Sequence, residues 1–301
     1  MDECEKVGRS KGAEGRPRSD NIGRLMRSLA IPAAKVHSPS HAHRVYFTHA
    51  ITVISRFMIL RDRALGWTRT GRRAAGADER ASRHAIRSGA SVLDAVLVEP
   101  ASGSSKSAVL LCHGIGETVE QWFGVQQLLA AHGVASLVFD YSGYGKSTGR
   151  PDWDQFEQDA VTAFDALRDL APGLQLSVIG FSLGSGVATA IINQLGARRL
   201  VLCEAFTSFR NAATAAWVPK PLSLLVPPIW HAEQPLAKCK TPVLVVHGER
   251  DRLFPLWMSS ELAAFCTPTA EVIEVPGISH NQPFRKPHLS YWGPIIEWVS
   301  R

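Results

Sequence analysis

Three side chains suited to nucleophilic catalysis follow strand-like segments, in the chain order Ser182, Asp251, His280. A serine hydroxyl becomes a strong nucleophile when a histidine accepts its proton. A carboxylate then fixes the tautomer of that histidine and stabilises its charged form. Such a set attacks the carbonyl carbon of an ester, thioester or amide. The chain can perform this chemistry only if its fold brings the three side chains together.

Ser182 occupies the middle of Gly180-Phe181-Ser182-Leu183-Gly184, which follows the apolar segment 174–179 directly. A helix-compatible segment starts at Leu183, so Ser182 is predicted to lie on a tight strand-to-helix turn. Flanking glycines allow such a turn to approach neighbouring chain, and the N-terminus of the helix stabilises nearby negative charge. This setting favours Ser182 as the nucleophile of a nucleophile elbow.

The segment Gly145-Lys146-Ser147-Thr148-Gly149 matches the same Gly-x-Ser-x-Gly pattern. Arg150-Pro151 follows it, so no helix begins there, and Ser147 is predicted to be a loop residue. A phosphate-binding loop is also excluded, because Asp140 occupies the position of its first glycine.

The base and the acid are predicted from loops at the carboxyl ends of later strands, where open α/β sheets place their sites. His280 ends a short loop after the last strand, and Asp251 lies in the loop after the strand that ends at Val246. His247, at that strand end, is expected to bond to local backbone. The alternatives left open are His288 for the base, and Glu249 or Glu204 for the acid.

The segment Cys112-His113-Gly114-Ile115-Gly116 follows another strand and is predicted to supply one donor of an oxyanion hole. Two backbone amides would bind the charged oxygen of the tetrahedral intermediate. By position, these are the amides of Ile115 and Leu183. His113 is expected to be a structural hydrogen-bonding residue beneath the loop.

Apolar segments alternate with helix-compatible segments from about residue 84 onward, which favours a βαβ architecture. Residues 84–88 and 92–98 are predicted to form an antiparallel hairpin around Gly89. Six further strands are nearly continuous in apolar residues, as expected for strands covered on both faces. These strands are predicted at residues 108–112, 134–139, 174–179, 199–203, 242–246 and 271–275, and the helices at 119–132, 155–170, 183–194, 257–265 and 291–299.

Residues 207–240 form a long gap between two predicted strands, and five prolines in it exclude a long helix. An insertion of this kind is a natural lid. Trp217 and Trp230 are predicted to line an apolar substrate pocket beneath it.

The N-terminal third differs in composition from the rest of the chain. Residues 1–88 carry a net charge of +10, so the remainder carries −4 of the total of +6. Residues 1–44 are predicted to be a disordered basic tail and residues 45–83 a helical extension. The apolar segment 45–60 is too short to span a membrane but can contact one peripherally. No specific nucleic-acid binding is expected of the mildly acidic remainder, and attachment to a membrane or to nucleic acid through the basic third stays open.

Five cysteines, none in a Cys-x-x-Cys pair, indicate reduced and mostly buried thiols. A cytoplasmic location is the expectation that follows from this cysteine usage.

The chain from residue 84 to residue 301 resembles the α/β-hydrolase superfamily, within it the monoacylglycerol-lipase-like and serine-aminopeptidase-like enzymes. The resemblance is carried by residues 110–118, 139–151, 179–186, 245–255 and 277–281. It implies an eight-stranded, mostly parallel sheet with helices on both faces and a short lid. Many relatives carry arginine where this chain has Ser142, so contacts made by that arginine are missing here.

The resemblance also implies acyl transfer to water through an acyl-enzyme, with neither a metal nor an organic cofactor. The leading hypothesis is a serine hydrolase that cleaves a carboxylic ester with a small or medium, apolar acyl group. A thioesterase of the protein-depalmitoylating type and a peptidase are alternatives. A hydrolase fold that only binds, without catalysis, is the alternative of another class.

Overall fold

The computed structural model describes residues 78–101, 105–216, 223–224 and 226–301. All of them lie in the second of the two units into which the chain divides, residues 43–301. The predicted disordered tail and Trp217 lie outside the described residues, as does the predicted helical extension up to residue 77. The end of that extension differs from the prediction: residues 81–83 form a strand, because their backbone pairs with residues 96–98.

An antiparallel hairpin begins the sheet, as predicted. β1 (Ala81–Ser88) and β2 (Ser91–Val98) pair along their whole length. Gly89 in the connecting turn has φ of 56°, a left-handed conformation that glycine adopts without steric cost. The sequence prediction of a turn at Gly89 is therefore confirmed.

Six further strands complete an eight-stranded sheet. They are β3 (Ser107–Cys112), β4 (Val134–Phe139), β5 (Gln175–Phe181), β6 (Leu200–Cys203), β7 (Val243–Gly248) and β8 (Glu271–Val275). The order in the sheet is β1-β2-β4-β3-β5-β6-β7-β8. β2 pairs antiparallel with β4, and every later pair is parallel. This mostly parallel sheet confirms the predicted architecture.

β8 departs from the prediction that all six strands are covered on both faces. Of its residues only Val275 is buried. Among the described strands β8 pairs with β7 alone, so it is an edge strand. Its two glutamates therefore remain in contact with water.

Helices cover both faces of the sheet, because alternate residues of each central strand point to opposite sides. The described helices are α1 (Val119–Ala131), α2 (Trp153–Leu170), α3 (Leu183–Leu195), α4 (Phe209–Ala215), α5 (Glu233–Ala237), α6 (Trp257–Phe265), α7 (Gln282–Arg285) and α8 (Leu289–Ser300). In β3, Leu110 packs in the core beneath α2 and α3. Its neighbour Leu111 packs in the opposite core with α1 and α8.

The segment predicted as a lid contains only short helices where it is described. α4 has seven residues and α5 has five, as expected from the prolines between them. Trp230, between the two helices, is buried in the same core as α3. Residues 217–222 and 225 of this segment are outside the description.

Cys112, Cys203, Cys239 and Cys266 are buried and free, in agreement with the prediction of reduced thiols. Within the part of the chain that the structure describes, no helix combines the length and apolar character needed to cross a membrane.

The turn from β5 to α3 depends on two glycines. A Cβ atom on Gly180 would lie 2.5 Å from the carbonyl oxygen of Gly184 and 2.7 Å from Cα of Ser185. A Cβ on Gly184 would overlap the backbone carbonyl of Cys112, at the end of β3. Only residues without a side chain allow the start of α3 to pack this closely against two strands.

We expect Gly184→Ala to lower the free energy of unfolding by more than about 2 kcal/mol, since the added methyl group meets rigid backbone. Gly124→Ala is the matched control. A Cβ on Gly124, in α1, would meet only the Pro287 ring at 3.4 Å. This variant should be neutral or stabilising by up to about 1 kcal/mol, because alanine favours helix. Urea unfolding of both variants measures the difference, and equal effects would contradict this account of the turn.

Candidate active site

The loops after β5, β7 and β8 bring Ser182, Asp251 and His280 together. Nδ1 of His280 lies 2.7 Å from Oδ2 of Asp251, and Nε2 lies 3.0 Å from Oγ of Ser182. A carboxylate can only accept a hydrogen bond, so Nδ1 carries the proton and donates a hydrogen bond to Asp251. Nε2 is then free to accept a hydrogen bond from the Ser182 hydroxyl. The three side chains thus form one continuous line of hydrogen bonds.

Ser182 has φ of 51° and ψ of −117°, an unusual conformation for a residue with a side chain. It is the residue immediately before α3, and its own side chain does not cap the helix. The strained turn aims the hydroxyl at His280 instead. Backbone strain of this kind is typical of functional residues, and here the packing of two strands and a helix maintains it.

The Asp251 carboxylate is held by three donors. Its Oδ1 accepts hydrogen bonds from the amides of Leu253 (2.6 Å) and Phe254 (3.0 Å), and its Oδ2 accepts from His280. Burial alone would raise the pKa of Asp251. The charge and hydrogen bond of His280 outweigh burial, so the pKa lies well below its usual value. Asp251 is therefore ionised and fixes the orientation of the imidazole ring.

The other histidines considered from the sequence make local contacts. His247 lies between the Phe254 carbonyl, 3.1 Å from its Nε2, and the Ser259 hydroxyl, 2.8 Å from its Nδ1. His288 is exposed, and its ring caps the first turn of α8 through the Ser290 amide. Neither is placed beside Ser182 by a hydrogen bond.

The alternative carboxylates lie elsewhere around the site. Glu249 accepts a hydrogen bond from the amide of Gly277, at 2.7 Å, and thereby joins two loops. Glu204 is buried close to Asp251, and its Oε1 accepts from the amide of Gly248 at 2.9 Å. Asp251 is thus the carboxylate that hydrogen-bonds to His280.

The second Gly-x-Ser-x-Gly segment lies in the loop after β4, as predicted. The Ser147 hydroxyl donates to the Asp140 carbonyl, at 2.5 Å, and accepts from the Asp94 amide, at 2.9 Å. The same loop is held by the Ser142 amide, which donates to the buried carboxylate of Asp159 at 2.7 Å. Ser142 thus anchors the loop through its backbone amide.

The loop after β3 is organised by Glu117, a residue that the sequence analysis did not single out. Its Oε2 accepts hydrogen bonds from the Gly114 amide and from the Trp122 indole N–H, both at 2.8 Å. His113 lies beneath the loop and donates to the Gly114 carbonyl at 2.8 Å. The signal in the sequence is a carboxylate three residues after a glycine in a loop, which is too common to identify such a contact.

The amides proposed for the oxyanion hole remain free for a ligand. The amide of Gly114 donates its hydrogen bond to Glu117, and the next amide in the loop is that of Ile115. Leu183 is the first residue of α3, so its amide has no acceptor within the helix. Among the described residues neither amide donates to a protein acceptor.

Aromatic side chains surround the site. Phe181 and Phe254 place their rings 5.5 Å and 5.1 Å from the ring of His280. Trp230 packs against the first turn of α3, where a Cβ on Gly186 would lie 2.9 Å from its ring. The indole N–H of Trp230 donates to Glu157 at 2.8 Å, which fixes the ring.

Burial raises the pKa of Glu117 to about 7, although its two hydrogen bonds and the charges of His280 and Arg285 act against burial. Between its usual pKa of 4.5 and about 7, the folded protein binds a proton that the unfolded chain has released. The contribution of Glu117 to stability therefore falls as the pH rises through this range.

We expect Glu117→Gln to be more stable than the wild-type protein near pH 8, by about 3 kcal/mol, and of similar stability near pH 5. The amide oxygen of glutamine can accept the same two hydrogen bonds but never becomes charged. Glu297→Gln, at an exposed carboxylate, is the control and should show no such pH-dependent difference. Thermal unfolding across this pH range is the measurement. A constant difference between Glu117→Gln and wild type would contradict the assignment.

Comparisons with known proteins agree with this fold. A family model described as alpha/beta hydrolase fold matches residues 107–220. An uncharacterized protein of Mycobacterium tuberculosis is 32% identical over 187 residues, which cover 60% of this chain and 66% of that protein. Lysophosphatidylserine lipase ABHD12 of Macaca fascicularis is 25% identical over 230 residues, which cover 65% of this chain and 57% of the lipase. The chain thus spans less than two thirds of the length of these curated relatives.

Solved structures show the same fold at low sequence identity. An esterase of Pyrococcus furiosus is 20% identical with a TM-score of 0.59, covering 73% of this chain and 91% of the esterase. A soluble variant of monoglyceride lipase from Saccharomyces cerevisiae is 14% identical with a TM-score of 0.58, covering 76% of this chain and 98% of the lipase. With its sheet order, its strand-to-helix turn at Ser182 and these matches, the chain belongs to the α/β-hydrolase superfamily.

Proposed function

We propose that this protein is a serine hydrolase that uses Ser182, His280 and Asp251 as a catalytic triad. The observation that carries the proposal is the unbroken hydrogen-bond line from Asp251 to His280 to Ser182, with distances of 2.7 and 3.0 Å. These are distances at which a proton transfers directly between side chains. Each member comes from a different loop at the carboxyl edge of the sheet.

In the first half of the reaction, Oγ of Ser182 attacks the substrate carbonyl carbon while Nε2 of His280 accepts the hydroxyl proton. The resulting imidazolium is stabilised by the ionised Asp251, and it returns the proton to the leaving group as the acyl-enzyme forms. In the second half, His280 deprotonates a water molecule that attacks the acyl-enzyme. Ser182 is released when His280 returns that proton to its oxygen.

The amides of Ile115 and Leu183 are proposed to bind the negatively charged oxygen of each tetrahedral intermediate. Leu183 contributes the N-terminal end of α3, where the helix dipole favours negative charge. The hydrogen bond from Gly114 to Glu117 holds the loop after β3 in place and leaves the Ile115 amide available. An oxyanion-hole donor of this kind typically contributes about 3 to 4 kcal/mol to transition-state stabilisation.

An ester with an apolar acyl group is the substrate class that we favour. Phe181 and Phe254 pack against the ring of His280, and Trp230 packs against Gly186 in the first turn of α3, so the elements that carry the triad have apolar, aromatic surroundings. The relatives and structural neighbours include a lysophosphatidylserine lipase, a monoglyceride lipase and an esterase, and these names all describe hydrolysis of carboxylic esters. Thioesters and amides are attacked by the same chemistry and remain the alternatives within this mechanism.

A hydrolase fold that only binds is disfavoured by the geometry. A site that only binds a ligand does not require a strained serine, a buried carboxylate and a histidine in mutual contact. The strain at Ser182 costs on the order of 1 to 3 kcal/mol, which a binding module would gain by relaxing it.

We expect Ser182→Ala to abolish ester hydrolysis and labelling by a fluorophosphonate probe, because the attacking oxygen is removed. Ser147→Ala is the matched control within the second Gly-x-Ser-x-Gly segment. It should keep both activities, with a loss of stability of about 1 to 2 kcal/mol from its two hydrogen bonds. Mass spectrometry of the labelled wild-type protein should place the probe on Ser182. Labelling of Ser147, or turnover by Ser182→Ala, would refute the triad.

We expect Asp251→Asn to lower kcat by about four orders of magnitude with little change in substrate binding, because the amide no longer fixes the required tautomer of His280. Steady-state kinetics on a panel of short-, medium- and long-chain acyl esters, with matched thioesters and amides, measures this loss. The same panel identifies the preferred acyl group. A wild-type rate in Asp251→Asn would assign the acid to another carboxylate.

A further inference from the structure

Glu204 occupies a strained and fully buried position directly after β6. Its φ is 45°, in the left-handed region that favours glycine, and its exposed fraction is 0%. Its backbone amide donates to the Val246 carbonyl at 3.1 Å, so the strained residue is also tied to β7. A residue that is usually charged is found in a buried and strained position only when its surroundings compensate for both costs.

The two oxygens of the Glu204 carboxyl have different surroundings. Oε1 accepts the hydrogen bond from the Gly248 amide at 2.9 Å. Oε2 is buried and accepts from no donor among the described residues. The nearest ring nitrogen, Nε2 of His247, is 3.9 Å away, and its proton is directed to the Phe254 carbonyl. An ionised Glu204 would therefore leave one buried, charged oxygen without a hydrogen bond.

The Asp251 carboxylate is the close neighbour of Glu204. One oxygen of Glu204, one of Asp251 and a nitrogen of His280 all lie within 4.8 Å of one another. Two buried carboxyls at this separation do not both ionise, because the like charges repel strongly in a poorly solvated site. Asp251 is bonded by three donors and Glu204 by one, so the negative charge resides on Asp251.

The remaining groups that face Glu204 do not outweigh burial and Asp251. Burial raises the pKa of the Tyr291 hydroxyl, on α8, and of the Cys203 thiol, at the end of β6, so both stay neutral. The neutral Tyr291 hydroxyl and the Gly248 amide act to lower the pKa of Glu204. His247, on β7, also stays neutral, because burial lowers its pKa. Burial first, and then the hydrogen bond and charge of Asp251, outweigh the hydroxyl and the amide and raise the pKa of Glu204 well above its usual value.

We propose that Glu204 is a protonated positioning residue, whose neutral carboxyl donates a hydrogen bond from Oε2 to the Asp251 carboxylate. This single proton satisfies the orphaned oxygen and removes the repulsion between the two carboxyls. Its catalytic consequence rests on the proposed function. Asp251 receives a fourth hydrogen-bond donor, which fixes the orientation of its carboxylate towards His280. The same donor reduces how strongly the carboxylate stabilises the protonated imidazole.

Two substitutions separate this role from simple packing. Glu204→Gln keeps both contacts, since its amide nitrogen can donate to Asp251 and its amide oxygen can accept from Gly248. Glu204→Met fills the same space but cannot donate. In Glu204→Met we expect kcat to fall roughly tenfold and the acid limb of the kcat/KM profile to move up by roughly one pH unit. Without its fourth donor, the Asp251 carboxylate would stabilise the protonated imidazole more strongly than in the wild-type protein. A protonated imidazole cannot act as a base.

Glu204→Gln should keep the acid limb of the wild-type protein and recover most of the kcat lost in Glu204→Met. Tyr291→Phe, which removes a neighbouring hydroxyl and keeps the ring, should leave the acid limb in place. The proposal is overturned if Glu204→Gln shifts the acid limb as Glu204→Met does, or if Glu204→Met leaves it unchanged.

Infrared spectroscopy at neutral pH tests the proton itself and needs no turnover. The difference spectrum between Ser182→Ala and the double variant Ser182→Ala with Glu204→Gln should contain the C=O stretching band of a buried protonated carboxyl. Glu117, which is partly protonated at this pH, contributes equally to both proteins and cancels in the difference. Absence of this difference band would overturn the proposal even if Glu204→Met failed to fold. If Glu204→Gln removes the band but the wild-type protein has no hydrolase activity, the protonated Glu204 is upheld. That result refutes only the proposed function.

Discussion

The close approach of α3 to the end of β3 is the constraint on which the site depends. The backbone of Gly184 packs against the Cys112 carbonyl so tightly that no side chain fits between them. This contact places the first turn of α3 beside the loop that begins at His113. The amides of Ile115 and Leu183 therefore lie in neighbouring segments, and Ser182 is forced into its strained turn between them. A wider separation would loosen the nucleophile and the proposed oxyanion hole together.

Three carboxyls occupy the interior around this site, and their surroundings give them different charges. Asp251 is ionised, because three donors surround it and His280 offsets the cost of burial. Glu117 has its pKa raised to about 7 by burial, with two donors on one oxygen. Glu204 has one donor and a charged neighbour, which favour its neutral form. A single negative charge next to His280 is what the chemistry of an imidazole base requires.

Local sequence pattern was sufficient for most of the secondary structure. The six predicted strands are present within two residues of their predicted ends, because a central parallel strand must be apolar throughout. The start of β1 at Ala81 was not visible in the sequence, since residues 81–83 become a strand only through pairing with β2. The exposure of β8 was also not visible, because an edge position depends on the order of strands in the sheet. Both errors concern pairing between strands, which the residues of one segment do not specify by themselves.

The sequence by itself determined the fold class and favoured Ser182, His280 and Asp251, because strand-to-helix turns and the order of residues along the chain can be read directly from it. It left Glu249 and Glu204 open as the acid. Only the tertiary structure decided which buried carboxyl meets His280. Asp251 and Glu204 both follow strands, and the residues next to each do not show which one contacts His280. Their roles follow from the number of hydrogen-bond donors and the charges that the folded sheet brings to each, and these arrive from segments remote in sequence.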